Sequence, residues 1–237
     1  AELKTLSVTE RRTSAVDPVF VTRFPIADLG LRIPTLEEEI ALISGLNRSR
    51  NTDVGWYIEL KAPGFHEAEG YDIGRVVVDT LSAAGLNSAG SKVFLQCFDH
   101  RTLRYLKTEL NTPLPLIMLI ADNSWGEAEG IDYDRFRTPS GLAELADFVQ
   151  GIGPWIGHIL DPDTGALGTL TAQAHALGLA VHPYTVRADA LPAQVSTLNA
   201  LHSKLLLEAG VDGVFTDFSD LTHAFIDEHW PKYDDQQ

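Results

Sequence analysis

From Asp53 onward, short apolar runs alternate with longer stretches of helical periodicity, and this alternation limits the fold more than any other feature of the sequence. Strands linked through helices form a parallel sheet with right-handed crossovers. The strand candidates are Asp53–Ala62, Lys92–Phe98, Pro115–Ala121, Gly151–Ile156, Ala180–Val186 and Val211–Phe218. Helices are expected over His66–Gly85, Asp99–Leu110, Ser140–Val149, Leu170–Leu177, Thr197–Ala209 and Leu221–Glu228. Gly85, Gly178 and Gly210 stand where a left-handed residue ends a helix. Ahead of the first strand, Leu36–Leu46 reads as a helix with Glu37, Glu38 and Glu39 in its first turn, which suits the positive end of the helix dipole. Segments 111–139 and 155–169 read as long loops. One domain over residues 1–237 is the simplest organisation, and 237 residues with 44% apolar content match a single α/β barrel.

The formal charge of -15 repels phosphate backbones, so nucleic acid is not an expected partner. It does not exclude a small anionic substrate, because local groups or a bound cation can reverse the field inside a cleft. No apolar run approaches the roughly 20 residues of a membrane span. The lone Cys97 leaves the redox compartment undecided, and its alternation with Gln96 and Phe98 turns it toward the helices as a core residue. The opening Ala1-Glu2-Leu3-Lys4-Thr5-Leu6 reads like the middle of a helix, so the true beginning is expected upstream.

In parallel α/β folds, reactive groups project from the C-terminal ends of strands. Period two places Glu59 and Lys61 on one side of the first strand. Two readings stand side by side: a carboxylate for a divalent cation with an ammonium for a phosphate, or an ion pair filling a barrel layer. Gln96 and Phe98 share a side of the second strand, as ligand contacts or as core. His182 and Tyr184 alternate in the same way, and His182 reads as an acid, a ligand or a hydrogen-bonded core histidine. Asp217 either orients a site group or caps the next turn. The histidines lack zinc-ligand spacing.

Several runs, taken in order, resemble the glycerophosphodiester phosphodiesterases, especially their longer bacterial members. They are Phe24-Pro25, Arg32-Ile33-Pro34-Thr35-Leu36-Glu37-Glu38, Trp56-Tyr57-Ile58-Glu59-Leu60-Lys61-Ala62-Pro63 and Phe65-His66-Glu67-Ala68-Glu69-Gly70. Further along come Val93-Phe94-Leu95-Gln96-Cys97-Phe98-Asp99, Val181-His182-Pro183-Tyr184-Thr185-Val186-Arg187 and Ala209 to Phe218. The resemblance implies a TIM (β/α)8 barrel and metal-dependent hydrolysis of a small-molecule glycerophosphodiester to sn-glycerol 3-phosphate and an alcohol. It implies Glu59 as a ligand of Ca2+ or Mg2+, and Lys61 near the phosphate as the catalytic residue of an E-x-K motif. Gln96, Phe98, His182 and Tyr184 then fall where the substrate is bound. A periplasmic or secreted location is suggested in the same way. In the implied chemistry, a neighbouring glycerol hydroxyl attacks phosphorus with help from a histidine, and water opens the cyclic phosphate. Ser219 departs from the proline usual after Thr216-Asp217-Phe218.

The family's His-Arg-Gly, Glu-x-Asp and His-Asp elements have no equivalent before Leu31. About six βα units are expected where a barrel has eight, so the barrel is expected to be incomplete, with open strand edges inviting self-association. This chain alone is expected to be inactive or weakly active. The rival readings are a Schiff-base aldolase using Lys61, and a non-catalytic barrel that binds a phosphodiester or a protein partner.

Overall fold

The computed structural model describes residues 2–14, 16–23 and 29–229. The Phe24-Pro25 run of the resemblance lies outside the described residues. The chain divides into two compact units, Ala1–Val54 and Gly55–Gln237. Among the described residues, no helix is long and apolar enough to cross a membrane.

In the first unit, α1 (Leu36–Arg50) begins with a reciprocal capping box. The Thr35 hydroxyl accepts from the Glu38 amide, and the Glu38 carboxylate accepts from the Thr35 amide at 2.8 Å. Lys4 adds an ion pair to the same carboxylate. The helix outruns its expected end at Leu46 and stops at Asn51, a left-handed residue with φ 52.

The second unit is a parallel sheet in the order β1 (Trp56–Glu59), β2 (Val93–Cys97), β3 (Leu116–Ile120), β4 (Gly151–Pro154) and β5 (Ala180–Val181). Every neighbouring pair is parallel, as the alternation requires. All residues of β3 are buried, which explains its uninterrupted apolar sequence. The glycines of β4 have a packing reason. A Cβ on Gly153 would sit 2.7 Å from Cδ2 of Leu119, and one on Gly151 would sit 2.7 Å from the Ala180 carbonyl oxygen.

The expected sixth strand, Val211–Phe218, does not form a regular strand. Pro183, in the segment it pairs with, has no amide to donate. Parallel pairing persists nonetheless: Phe215 donates to the Pro183 carbonyl at 2.9 Å, Val186 donates to Phe215 at 2.8 Å, and Val186 bridges Thr216.

The sheet curls. Four steps of about 4.8 Å would separate β1 from β5 by about 19 Å if it were flat. Yet Tyr57 on β1 and His182, just beyond β5, share a hydrogen bond of 2.9 Å between Oη and Nδ1. Tyr57 also meets the Phe215 ring edge-on at 4.7 Å between centroids. The side chains on the concave face therefore converge as in the wall of a (β/α) barrel.

The connecting helices are α2 (Pro63–Ala68), α3 (Ile73–Ala83), α4 (His100–Thr108), α5 (Pro139–Ala146), α6 (Leu170–His175), α7 (Leu198–His202) and α8 (Ser219–His229). The single helix expected over His66–Gly85 is two. Gly70 turns with φ 82, and the Asp72 side chain caps a new start at the Arg75 amide. The helix expected from Ser140 starts one residue earlier, capped by Thr138. After α7 the backbone widens into a π-helix over Ser203–Glu208. Gly85, Gly178 and Gly210 all have positive φ, as their helix-ending positions demand.

Candidate active site

Strand β1 delivers two charges to the C-terminal end of the sheet. The Lys61 ammonium lies 3.4 Å from Oε1 of Glu59, so the two side chains meet as their spacing requires. It also donates to Oε2 of Glu127 at 3.0 Å and stands 5.1 Å above the ring of Phe98. Burial works against the ammonium, but the Glu127 hydrogen bond and the charges of Glu59 and Glu127 outweigh it and raise its pKa. Lys61 is therefore held as a cation between Glu59 and Glu127. Directly after it, Ala62 adopts φ 47 and ψ 55, and Pro63 opens α2.

Glu127 was not identified from the sequence. It sits in the connection after β3, just past Gly126 with φ 67. A carboxylate in a loop carries no periodic signal, and only the folded connection brings it to Lys61.

A pocket of about 220 Å³ lies beside this pair, lined by Glu59, Gln96, Phe98, Leu119, Tyr184 and Asp217, among others. Glu59 and Gln96 are register partners across β1 and β2. Gln96 is only 6% exposed, and its Oε1 has no hydrogen-bond partner. A buried amide oxygen without a donor is costly. Phe98 and Tyr184 meet edge to face at 5.8 Å, and the Tyr184 hydroxyl donates to the Ile120 carbonyl at 3.2 Å. Burial pushes the Tyr184 phenol well up, so it remains protonated. Asp217 accepts from Nε of Arg187 at 2.8 Å.

His182 stands apart from this lining. Its ring is held by Tyr57 and meets Phe94 edge-on at 5.8 Å, and burial lowers its pKa. Cys97 points the other way and is buried, donating to the Leu60 carbonyl at 3.2 Å. Burial pushes its thiol up to about 12, which leaves no nucleophilic thiolate.

Among the described residues, no three His, Cys, Asp or Glu side chains converge closely enough to hold a metal ion. Glu59 and Gln96, register partners on neighbouring strands, carry side-chain oxygens of the kind hard cations prefer, and Oε1 of Gln96 has no other partner.

Residues 1–221 match the glycerophosphoryl diester phosphodiesterase family. A glycerophosphodiester phosphodiesterase of Haemophilus influenzae is 34% identical across 95% of this chain, which spans 68% of that protein. One from Treponema pallidum is 30% identical across 88% of this chain, which spans 64% of that protein. Among solved structures, a Silicibacter pomeroyi protein assigned to the same class superposes with a TM-score of 0.63 at 24% identity, covering 89% of this chain and 62% of its own. An Oleispira antarctica phosphodiesterase in complex with the product sn-glycerol-3-phosphate gives a TM-score of 0.55 at 19% identity, covering 83% of this chain and 62% of its own. By the extent of this match, the chain belongs to the glycerophosphoryl diester phosphodiesterase family.

Proposed function

We propose that the Glu59–Lys61 pocket binds the phosphate and glycerol end of a glycerophosphodiester, and that this chain supplies that part of a hydrolytic site. One observation carries the reading: an ammonium paired with two carboxylates stands over the ring of Phe98, which lines a pocket whose buried amide oxygen has no partner. Lys61 holds the phosphate oxygens and stabilises charge developing on them. The Gln96 oxygen accepts a glycerol hydroxyl or helps hold a cation, and Phe98 packs against the carbon face of the ligand. Glu59 and Gln96 would contribute to holding Ca2+ or Mg2+, which when bound polarises the phosphate. Two oxygens fill only part of a shell of about six or more.

The Schiff-base alternative loses support from the charges around Lys61. A lysine nucleophile needs its free amine, whereas Glu59 and Glu127 favour the ammonium. Binding without turnover is favoured by a different observation: no histidine lines the small pocket among the described residues. Proton transfer by a positioned group is worth about 10²–10⁴ in rate, so the chain by itself is expected to turn over slowly or not at all.

Calorimetric titration with sn-glycerol 3-phosphate tests the reading. Saturable binding that depends on Ca2+ or Mg2+, and that is lost in Glu59→Gln, is the expected result. Equal binding by the wild type and Glu59→Gln would refute it.

A further inference from the structure

A line of polar side chains leads from the interior to the small pocket: His202 at the end of α7, Thr222 on α8, and Thr216 in the segment that pairs with Val186. His202 is fully buried and Thr222 is 5% exposed, while Thr216 is half-buried and lines the pocket beside Asp217. Nε2 of His202 lies 3.0 Å from Oγ1 of Thr222, and the Thr222 hydroxyl donates to Oγ1 of Thr216 at 3.1 Å. The His202 ring packs against Phe225 at 5.0 Å between centroids. Just after His202 the backbone widens into the π-helix Ser203–Glu208, a rare distortion that recurs at functional sites.

Counting protons gives each bond its direction. A hydroxyl has one proton to give and two lone pairs with which to accept. The proton of Thr222 goes to Thr216, so the Thr222 oxygen receives from His202, and the ring carries its proton on Nε2. Burial lowers the pKa of His202, which keeps the ring neutral and leaves Nδ1 bare. That nitrogen is buried without a partner among the described residues, a costly state set against the bond made at Nε2. The same count applied to Thr216 is decisive. Its oxygen accepts from Thr222 and, at 3.0 Å, from the Phe218 amide, so both lone pairs are engaged. Its own proton has no acceptor among the described residues. Toward the pocket, Thr216 can therefore act only as a donor. Such a group suits an oxygen that only accepts, and phosphate oxygens are of that kind.

We propose that Thr216 is a further ligand-binding residue of the small pocket, donating its hydroxyl proton to a phosphate oxygen, and that Thr222 and His202 are positioning residues that set the direction of that proton. The assignment rests on the phosphodiester reading of the pocket. It adds a neutral, directed donor to the charge of Lys61. An ammonium attracts an anion from many directions, whereas a hydroxyl with both lone pairs engaged rejects any ligand that presents a donor at that spot.

The test uses the whole chain. Long-range proton–nitrogen NMR reads the tautomer of His202, expected with the proton on Nε2 and Nδ1 bare. A proton on Nδ1 would reverse the line of donation and overturn the proposal. Calorimetry with sn-glycerol 3-phosphate in the presence of Ca2+ reads the donor. Thr216→Val should weaken binding at least about tenfold, the order expected for a lost hydrogen bond to a charged group, and Thr216→Ser should recover most of that loss. Thr222→Val should weaken binding about two- to tenfold in the wild type and not at all in the Thr216→Val background, because it acts through Thr216. An equal loss in both backgrounds overturns the positioning role. Should Thr216→Val fail to fold, wild-type affinity in Thr222→Val overturns it instead. Wild-type affinity in Thr216→Val overturns this assignment alone, whereas a wild type that binds no sn-glycerol 3-phosphate overturns the phosphodiester reading and this assignment with it.

Discussion

Glu59 and Gln96 stand side by side across β1 and β2, and the side-chain oxygen of Gln96 is buried there without a partner. A group in that state lowers stability and is tolerated where it serves a ligand. Gln96→Leu should therefore raise stability by about 1–2 kcal/mol, or about 2–8 °C in Tm, while weakening sn-glycerol 3-phosphate binding. Thermal unfolding and calorimetry on the same variant read both effects. A variant both less stable and unchanged in binding would remove Gln96 from the site.

Tyr57 and His182 form the contact across the curled sheet. Tyr57→Phe leaves Nδ1 of His182 without its partner in a largely buried setting, at a cost of about 1–3 kcal/mol. Chemical denaturation should show that loss, with ligand affinity unchanged because His182 is not among the residues lining the small pocket. If His182→Gln abolished sn-glycerol 3-phosphate binding while stability held, His182 would return to the binding site.

The carboxylate–ammonium pair makes separable predictions for metal and phosphate. Chelation with EDTA should weaken sn-glycerol 3-phosphate binding in the wild type and leave Glu59→Gln, already impaired, nearly unaffected. Lys61→Met should weaken the phosphate ligand at least about tenfold, the order expected when a charged hydrogen bond of 1.5–3 kcal/mol is lost. Free glycerol, which carries no phosphate, should bind the variant and the wild type alike. A Lys61→Met protein with wild-type affinity would leave the ammonium without a role in binding.

His158 predicts an acid-side loss of stability. Both its ring nitrogens are buried without partners, and burial, with Arg137 nearby, lowers its pKa from 6.5 to about 4. Below pH 6.5 the unfolded chain takes up the proton first, so stability falls as pH drops through that value and levels off near pH 4. Allowing for partial exposure to solvent, the loss is roughly 1–2 kcal/mol. His158→Phe should remove this part of the pH dependence in urea unfolding between those two values. An unchanged slope would place the acid sensitivity elsewhere.

The parallel sheet was legible because strands buried on both faces, such as Leu116–Ile120, are written as continuous apolar runs. Some helix ends set by a glycine or a capping side chain were legible, as at Gly178 and Asp99. The break between α2 and α3 was not, because the apolar positions that indicate a helix, Ile73, Val76, Val77 and Leu81, all lie after Gly70 and carry no sign of the turn before them. Strand-end position and alternation singled out Glu59, Lys61, Gln96, Phe98 and Tyr184 as candidates, with a structural reading open beside them, and the roles proposed for them come from the family resemblance. Glu127 could not be singled out in this way, because its place depends on how a long connection folds back. The separation of His182 from the pocket was equally hidden: alternation gives the face of a strand but not the depth along it.

Ala62 joins the strand that carries Lys61 to α2, and it does so with φ 47. Such a backbone suits glycine, asparagine or aspartate and resists valine, isoleucine and threonine. Drift at this one codon is therefore confined to a narrow set of residues. A β-branched replacement would strain this turn and disturb the placement of the Lys61 ammonium just before it.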